Sequence, residues 1–194
     1  MGYTTDFHGK LELSRTATEI EKQYINTFSG TRKMRRDVSK LMELYNGKHG
    51  YPHNDSIDSL TPEQIYGNEG EYFAMDDGKS GQTNDTSIID YNSAPGQNFD
   101  DWKKLTQQIR EGLCQPGLWC QWVLTEDGNF LEWDGGEKFY YYTEWLQYMI
   151  KHFFQPWGIL LNGKIEWEGE ESDDVGVIIV EDNKVIVKES KISN

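Results

Sequence analysis

The chain has 194 residues, of which 36% are hydrophobic, 13% aromatic and 27% charged, and its formal net charge is −14. This length fits a single domain, and the aromatic content excludes a disordered chain, because disorder accompanies few large apolar side chains. The acidity argues against direct binding to a nucleic acid, since such binding depends on neutralising phosphates with Lys and Arg. An acidic chain that mimics a nucleic acid stays open as an alternative.

No segment predicts a leader peptide or a membrane span. The N-terminus lacks a basic start followed by an apolar run, and no stretch approaches the roughly 18 apolar residues that a bilayer requires. We therefore expect a cytoplasmic protein. Cys114 and Cys120 form no CxxC pair, so a disulfide is permitted but not indicated.

The first predicted elements are a strand and a helix. Residues 7–13 alternate apolar and polar side chains, which predicts a strand with one buried face. Residues 16–19 have the pattern of a capping box, and the apolar spacing after them predicts a helix that ends at Gly30. We expect this helix to pack on the sheet.

A second helix is predicted from about Thr31 to Gly47. Its apolar stripe would consist of Met34, Val38, Leu41, Met42 and Tyr45. Its opposite face would be basic and would carry Arg32, Lys33, Arg35, Arg36 and Lys40. This basic helix carries a local positive charge in a strongly acidic chain.

Residues 47–98 are rich in Gly, Asp, Asn, Ser and Pro, which predicts a loop-rich excursion within the domain. Structureless loops of this length are uncommon in compact domains, so we expect its apolar residues to pack on the rest of the chain. Residues 101–112 have apolar side chains at helical spacing and predict a short helix.

The C-terminal half begins with a predicted hairpin and a long helix. Residues 118–125 and 129–133 are β-rich runs separated by a turn signal. Asp134 as N-cap and Glu137 at the third position predict the start of a helix that Pro156 ends.

Three further strands complete the chain. Residues 159–168 alternate as a strand does, and residues 175–181 and 184–188 predict a closing hairpin. The order of elements predicts a single α+β domain over residues 1–194, with a mostly antiparallel sheet of about six strands covered on one face by helices.

The sequence contains no recognisable catalytic signature, and we assign no catalytic residue. His49 and His53 are separated by Gly and Pro, so they do not form a helical metal site, and we predict no metal and no cofactor. Cys120 is interpreted as a small core residue. His152 is expected near a helix C-terminus, where the helix dipole favours a cation.

The basic segment has two interpretations. Arg side chains bind phosphate and carboxylate bidentately, so Arg32, Lys33, Arg35 and Arg36 are candidates for an anion clamp. The alternative, which we favour, is that these side chains pair with the chain's own surplus of acids.

Aromatic residues supply the second half of a ligand hypothesis. Six of the seven tryptophans lie between Trp119 and Trp167. Trp119 and Trp122 are an odd number of positions apart, so a strand cannot bury both. If the excursion folds over the exposed face, it would form an aromatic pocket for a planar ligand such as a nucleobase; otherwise it simply covers that face. The aromatic candidates for ligand binding are Trp119, Trp122, Trp133 and Tyr91.

Several segments resemble a family of conserved hypothetical proteins of bacteria and their phages. The resemblance rests on residues 31–37, 90–92, 116–122, 132–140 and 161–163, together with Glu144-Trp-Leu146. It implies a compact intracellular protein but no established activity. Because many small acidic phage proteins act on host machinery or defence, it also implies a host-directed role.

Our leading hypothesis is a non-catalytic binding protein that engages a protein or a nucleotide-like small molecule through the aromatic block, residues 119–167, and the basic helix. The alternatives are an enzyme acting on a phosphate-bearing substrate, with Glu132 or Asp134 as base, and an acidic decoy for a nucleic-acid-binding protein. The sequence leaves the oligomeric state open.

Overall fold

A computed structural model describes residues 2–75, 85–97 and 101–189 of the chain. It shows the predicted α+β class. The strands are β1 (Thr5–Leu13), β2 (Arg35–Arg36), β3 (Ile88–Asp90), β4 (Trp122–Leu124), β5 (Phe130–Trp133), β6 (Leu161–Gly169), β7 (Val175–Glu181) and β8 (Lys184–Glu189). The α-helices are α1 (Glu19–Gly30), α2 (Val38–Tyr45), α3 (Pro62–Tyr66), α4 (Trp102–Arg110) and α5 (Tyr142–Met149). Two 3₁₀ turns, Ile57–Ser59 and Asn68–Gly70, flank α3, and a π-helical turn, Ile150–Phe154, continues α5.

Six strands form one antiparallel sheet in the order β4-β5-β1-β6-β7-β8, and β2 and β3 form a separate two-stranded ribbon. β1 lies near the centre and alternates as predicted, with Phe7, Leu11 and Leu13 buried. Its partner β6 buries Ile165 and Trp167 on the same face. One face of the sheet therefore carries the core.

Helix α1 and the segment formed by α5 and its π-helical turn pack on the inner face of the sheet. The N-cap of α1 is Thr18, whose hydroxyl accepts from the amide of Glu21 while the Glu21 carboxylate accepts from the amide of Thr18. The predicted capping box at residues 16–19 was therefore placed two residues early. The real box follows the same chemistry, because Glu again stands three positions after Thr.

Phe7 is the centre of an aromatic cluster between the sheet and α5. Its ring centroid lies 5.5 Å from that of Trp122, 5.4 Å from Trp133 and 4.8 Å from Tyr142, all in edge-on geometry. Edge-to-face pairs at these distances add to the stabilisation from burial. The strand residue with the most aromatic neighbours thus joins β1, the β4–β5 hairpin and the start of α5.

The outer face of the sheet is open. Lys10 and Glu12 on β1 and Lys164 and Glu166 on β6 are exposed. The expectation that the excursion covers this second face is therefore wrong for the part of the chain that the structure describes.

The described part of the excursion packs against the helix layer instead. Tyr51 lies 6.0 Å from Tyr24 of α1 and 6.1 Å from Phe153, measured between ring centroids. A small second core, built from Leu41, Ile65, Tyr66 and Phe73, connects the excursion with α2. The predicted packing through apolar residues is confirmed, but on the opposite side of the molecule from the outer sheet face.

The predicted second helix is wrong over its first third. Residues 31–34 are irregular and residues 35–36 form β2, and the helix begins at Val38 with Asp37 as N-cap, whose side chain accepts from the amides of Ser39 and Lys40. The backbone amide of Lys33 donates to Leu118 and that of Arg35 to Ser93. These amides bind distant carbonyls instead of helical ones, so the predicted basic helix is wrong over residues 31–36.

The predicted helix start at Asp134 is also wrong. The Asp134 carboxylate accepts from the amide of Gly136 and closes a turn, and α5 begins only at Tyr142. Two adjacent glycines disfavour a first helical turn, because glycine loses the most conformational freedom in a helix. Residues 134–141 form an irregular segment that lies beside β4.

A polar network fastens the excursion to α5. The Tyr148 hydroxyl lies 3.0 Å from Glu71 Oε2, and Gln115 Nε2 donates to the Glu71 carbonyl at 2.7 Å. Tyr72 Oη lies 2.8 Å from His152 Nδ1, and His152 Nε2 lies 3.0 Å from the carbonyl of Gly112. A carbonyl only accepts, so Nε2 carries the proton and Nδ1 accepts from Tyr72.

His152 is therefore held neutral. Burial lowers its pKa to about 4, against the smaller opposing effect of the hydrogen bond to Gly112. The expectation that His152 serves as a cation at the helix C-terminus is wrong, because desolvation outweighs the dipole. Its ring instead stacks on Tyr148 at 4.0 Å between centroids.

The described residues contain no helix that is long and apolar enough to cross a membrane.

We predict that acid weakens the fold through His152. Its pKa lies below the ordinary 6.5 in the folded chain, so the unfolded chain binds the proton first and stability falls as pH drops from 6.5 towards 4. The loss should be on the order of 3 kcal/mol. Urea unfolding across this range, compared with His152→Gln, measures it. Burial raises the pKa of Glu71, which acts in the opposite direction, and the variant retains Glu71. Equal pH slopes in the two proteins would contradict the prediction.

Candidate functional site

A groove of about 520 Å³ lies between residues 117–121 and residues 137–141. Its lining consists of Gly117, Leu118, Trp119, Gln121, Glu137, Lys138, Tyr140 and Tyr141. The volume falls within the range of small-molecule and peptide sites. One wall is the chain that leads into β4, and the other is the irregular segment before α5.

Three large aromatic side chains stand open around this groove. Trp119 is 47% exposed, Tyr140 51% and Tyr141 55%. Single exposed aromatics are ordinary, but several on one concave surface mark a contact site for a ligand or partner. Trp122 is fully buried and Trp119 is exposed, as predicted, but the predicted strand over residues 118–125 is shorter in the structure: β4 begins at Trp122, and Trp119 precedes it.

Two neighbouring residues with opposite orientations fix the distance between the walls. Trp122 Nε1 donates inward to the carbonyl of Tyr142 at 2.8 Å. Gln121 Nε2 donates to the carbonyl of Glu137 at 2.9 Å, and Gln121 Oε1 accepts from Trp133 Nε1 at 2.9 Å. Gln121 thus binds the first residue of the second wall, and Trp122, the next residue, binds Tyr142, which directly follows that wall.

The second wall contains strained backbone. Lys138 has φ +60° and Tyr141 has φ +57°, in the left-handed region that bulky side chains rarely occupy. Such strain costs on the order of 1 kcal/mol or more per residue and is concentrated at functional sites. The strained conformation places the Tyr141 ring on the groove surface.

Gly117 forms a gap in the first wall. A Cβ atom added at this position would lie 3.6 Å from the Tyr141 ring, which is ordinary van der Waals contact. A larger side chain here would extend across the space between the two walls. Gly117 therefore provides a way to fill the groove without removing an aromatic residue.

The groove adjoins an acidic loop, residues 168–174, through a single tyrosine. The backbone amide of Tyr3 donates to the Tyr140 hydroxyl at 3.2 Å, and the Tyr3 hydroxyl donates to the Asp174 carboxylate at 2.5 Å. The hydrogen bond to Asp174 raises the pKa of Tyr3, because losing the proton beside a carboxylate is unfavourable. Tyr3 therefore connects Tyr140 of the groove lining with Asp174 of the acidic loop through two hydrogen bonds.

Two other concavities lack this combination. One of about 330 Å³ lies between α1 and residues 49–52, where the aromatic side chain is the buried Tyr24. Another, of about 510 Å³, runs along the side of α4 beside Trp102. Only the groove between residues 117–121 and 137–141 joins three exposed aromatics, among the described concavities.

Arg32 does not reach the groove lining. Its guanidinium lies 4.2 Å from the centroid of the Tyr91 ring and donates to the Tyr91 carbonyl at 3.3 Å. Tyr91, predicted as a ligand contact, thus holds an arginine of its own chain. The two candidates come together, but at a place other than the groove.

Arg35 and Arg36 pair with acids of the excursion. Arg35 Nη2 lies 2.7 Å from Glu69 Oε1, and Arg36 Nη1 lies 2.6 Å from Asp85 Oδ2 and 2.8 Å from Ser87 Oγ. Arg36 is also buried against the Phe73 ring at 4.5 Å. This is the favoured alternative to an anion clamp, because the side chains bind the protein's own carboxylates.

Lys33 is buried in the core rather than placed on a surface. Its Nζ lies 3.3 Å from the centroid of the Phe28 ring and donates to the Phe28 carbonyl. Burial lowers its pKa to about 7. The segment 31–36 therefore directs its basic side chains to internal partners.

The remaining candidates support the groove from behind or lie beside it. Trp133 is half-buried against Phe7 and holds Gln121 in place. Glu132 pairs in register with Val123 on the sheet. Burial raises the pKa of Asp134, which is engaged by the amide of Gly136. None of these shows a nucleophile and base in hydrogen-bond contact.

Cys120 is a buried core residue, as predicted, and burial raises its pKa to about 11. Cys114 is also buried, with a pKa raised by burial to about 12, and both thiols are free. Within residues 2–75, 85–97 and 101–189, no three His, Cys, Asp or Glu side chains are grouped so that they could hold a metal ion.

The sequence interpretation missed Tyr140, Tyr141, Gln121 and Gly117. A signal was present, because four consecutive aromatics at residues 139–142 cannot all face the core from one helix. Only Phe139 of this run is fully buried. The assumed helix start at Asp134 concealed the exposed pair.

Comparisons with protein-family models, curated proteins and solved structures find no match to this chain. The functional inference therefore rests on the chemistry of the groove and its surroundings.

We predict that the two ion-paired arginines differ in their contribution to stability. Arg36→Met should cost about 3 kcal/mol, because it leaves Asp85 partly buried without its counter-charge. Arg35→Met should cost less than about 1 kcal/mol, since the Arg35–Glu69 pair is more exposed. Urea denaturation of the two variants measures the difference, and equal costs would contradict it.

We predict that Lys33→Met stabilises the protein. The folded pKa lies near 7 and the ordinary value near 10.5, so the unfolded chain holds the proton more tightly at neutral pH. Methionine keeps the stem volume, and the Phe28 carbonyl retains the amide of Thr31 as donor. We expect a gain on the order of 2 kcal/mol at pH 7, shrinking as the pH approaches 10.

The control for Lys33→Met is Lys40→Met, which alters an exposed lysine of α2. Thermal unfolding at several pH values compares both variants with the wild type. A lower melting temperature for Lys33→Met at pH 7 would show that the buried ammonium stabilises the fold, contrary to the prediction.

Proposed function

We propose that this chain is a non-catalytic binding protein that holds a segment of a protein partner in the groove between residues 117–121 and 137–141. The observation that carries the proposal is the exposure of Trp119, Tyr140 and Tyr141 around one concavity. Tyr and Trp give large contact areas with few rotatable bonds, which is why they dominate binding surfaces.

A protein segment fits the groove better than a nucleotide does. A phosphate-bearing ligand requires cationic donors, and Lys138 is the one cation among the described lining residues. The basic residues at 32–36 are engaged with internal partners. The enzyme alternative lacks support for the same reason, since its phosphate-binding arginines are occupied.

The groove is built as a rigid receptor. Hydrogen bonds from Trp122 and Gln121 hold its second wall at its first residue and directly after its last one, and the strained residues Lys138 and Tyr141 lie in that wall. Rigid aromatic surfaces bind with little loss of conformational entropy. A host protein as the partner stays a prediction drawn from the family resemblance.

A random-peptide selection on the immobilised wild-type protein tests the proposal. Recovered peptides should bind the wild type with micromolar affinity, measured by calorimetry, and should lose at least about tenfold with Trp119→Ala, as expected for a central aromatic contact. Gly117→Leu, which fills the gap beside Tyr141, should block the same peptides.

The matched control is Trp102→Ala, which removes another exposed tryptophan outside the groove lining. It should leave the affinity unchanged. Thermal unfolding of each variant verifies that the fold persists. Peptides that bind equally to wild type, Trp119→Ala and Gly117→Leu would rule out the groove as the binding site.

A further inference from the structure

We infer that the groove takes a basic protein segment, with an arginine stacked on its aromatic walls and neighbouring cations against the acidic loop 168–174. This inference rests on the proposed function and adds the chemistry of the partner. Its basis is the open aromatic groove and an acidic loop that Tyr3 connects to the groove by hydrogen bonds.

The acidic loop presents its charges to solvent. Glu170, Glu171 and Asp173 are exposed in the turn between β6 and β7, and Glu168 is exposed near the end of β6. Lys and Arg are absent from residues 165–183. Four exposed carboxylates without a nearby sequence cation create a negative potential that attracts a basic partner.

The loop is held in a defined position. The amide of Gly169 donates to the Asp174 carbonyl at 2.7 Å, and Trp167 Nε1 donates to Asp174 Oδ1 at 3.2 Å. The amide of Thr4 donates to Glu170 Oε1 at 2.7 Å. Asp174 and Glu170 thus fasten the turn, while Glu168, Glu171 and Asp173 are left for a partner.

Tyr3 sets the spacing between the two halves of the surface. Its amide contacts the Tyr140 hydroxyl on the groove wall and its hydroxyl contacts Asp174 in the loop. The distance between Tyr140 in the groove and Asp174 in the acidic loop is therefore bridged by the single residue Tyr3. A short peptide can reach both, because an extended chain advances about 3.3 Å per residue.

Arginine matches this combination better than lysine does. Its guanidinium is planar, stacks on aromatic faces and is less strongly hydrated than an ammonium, so it enters an aromatic groove at lower cost. The chain uses the same contact internally, where Arg32 lies over Tyr91 and Arg36 over Phe73. A partner arginine on Trp119, Tyr140 or Tyr141 would repeat it.

The charges of the groove itself permit this occupant. Lining residues Glu137 and Lys138 are adjacent and offset each other. The stem of Lys138 lies over Gly2, since a Cβ there would meet its methylenes at 2.3 to 3.0 Å. The groove lining and the acidic loop together therefore carry a net negative charge, and this charge comes from the loop.

The test uses a defined probe, an acetylated nine-residue Gly/Ser peptide with three arginines, and versions with three lysines or three glutamates. Tryptophan indole N–H signals are followed by NMR, and Trp119→Phe assigns the Trp119 signal. The arginine peptide should shift this signal saturably, the lysine peptide should bind more weakly, and the glutamate peptide should not bind.

A charge-neutralised variant tests the acidic loop. Glu168→Gln, Glu171→Gln and Asp173→Asn together should weaken the arginine peptide about fivefold to tenfold and flatten its salt dependence. These positions spare Glu170 and Asp174, which hold the loop. The control removes three exposed acids near the second core, Glu43→Gln, Asp58→Asn and Glu63→Gln, and should leave the affinity unchanged.

The outcomes separate this inference from the proposed function. If arginine and lysine peptides bind alike and the loop variant changes nothing, the basic-segment inference is overturned. Selected peptides that still depend on Trp119 would then leave the groove as a binding site. An ADP titration that shifts the Trp119 signal at lower concentration than the arginine peptide would overturn the inference in favour of a nucleotide.

Discussion

The hydrogen bond from Trp122 Nε1 to the Tyr142 carbonyl is the interaction on which the arrangement of the groove depends. It buries the largest side chain of β4 and ties that strand to the first turn of α5. Because neighbouring residues of an extended chain point to opposite sides, burying Trp122 leaves Gln121 to face the other wall and Trp119 to face solvent. The core therefore determines which aromatics stay open. In the binding function that we propose, the contact residues are set by the same alternation of side chains that builds the core.

The sequence predicted the sheet well because its signals are local. The alternation in β1 and β6, the turn before β5 and the closing β7–β8 hairpin each depend on a few adjacent residues.

The helix predicted over residues 31–36 was wrong because the contacts that decide the conformation of this segment are distant in the sequence. Apolar residues at helical spacing suggested a helix, while Leu118, Ser93 and Ser87 accept backbone hydrogen bonds that hold it in a non-helical conformation. Asp37 was the local signal for the true start, since aspartate is a strong N-cap. The groove was missed for a similar reason, because its walls are 20 residues apart in the sequence.

Ion pairs inside the chain determine which charges remain on the surface. The basic segment suggested a cationic site in an acidic chain, but Lys33 and Arg36 are buried, and Arg35 and Arg36 neutralise Glu69 and Asp85 of the excursion. These side chains attach the excursion to the domain. Exposed ion pairs contribute modestly to stability. Removing one partner of a buried pair costs more, because the other charge is left buried without a counter-charge. Because these cations are engaged inside the molecule, the surface, including the loop at 168–174, has an excess of negative charge.

Backbone strain is present in the wall of the groove. Within the described residues, seven non-glycine residues have positive φ, and four of them are Asn, Asp or His, which tolerate this conformation. The other three are Glu69, Lys138 and Tyr141, and the last two line the groove. Glycine would relieve the strain, and it already occurs at position 135 of the same segment with φ +82°. Tyrosine at position 141 therefore lowers the stability of the fold relative to glycine unless contacts made by its ring offset the strain. Tyr141 is 55% exposed, so its side chain is not part of the core. The binding function that we propose would use this exposed ring as a contact for the partner.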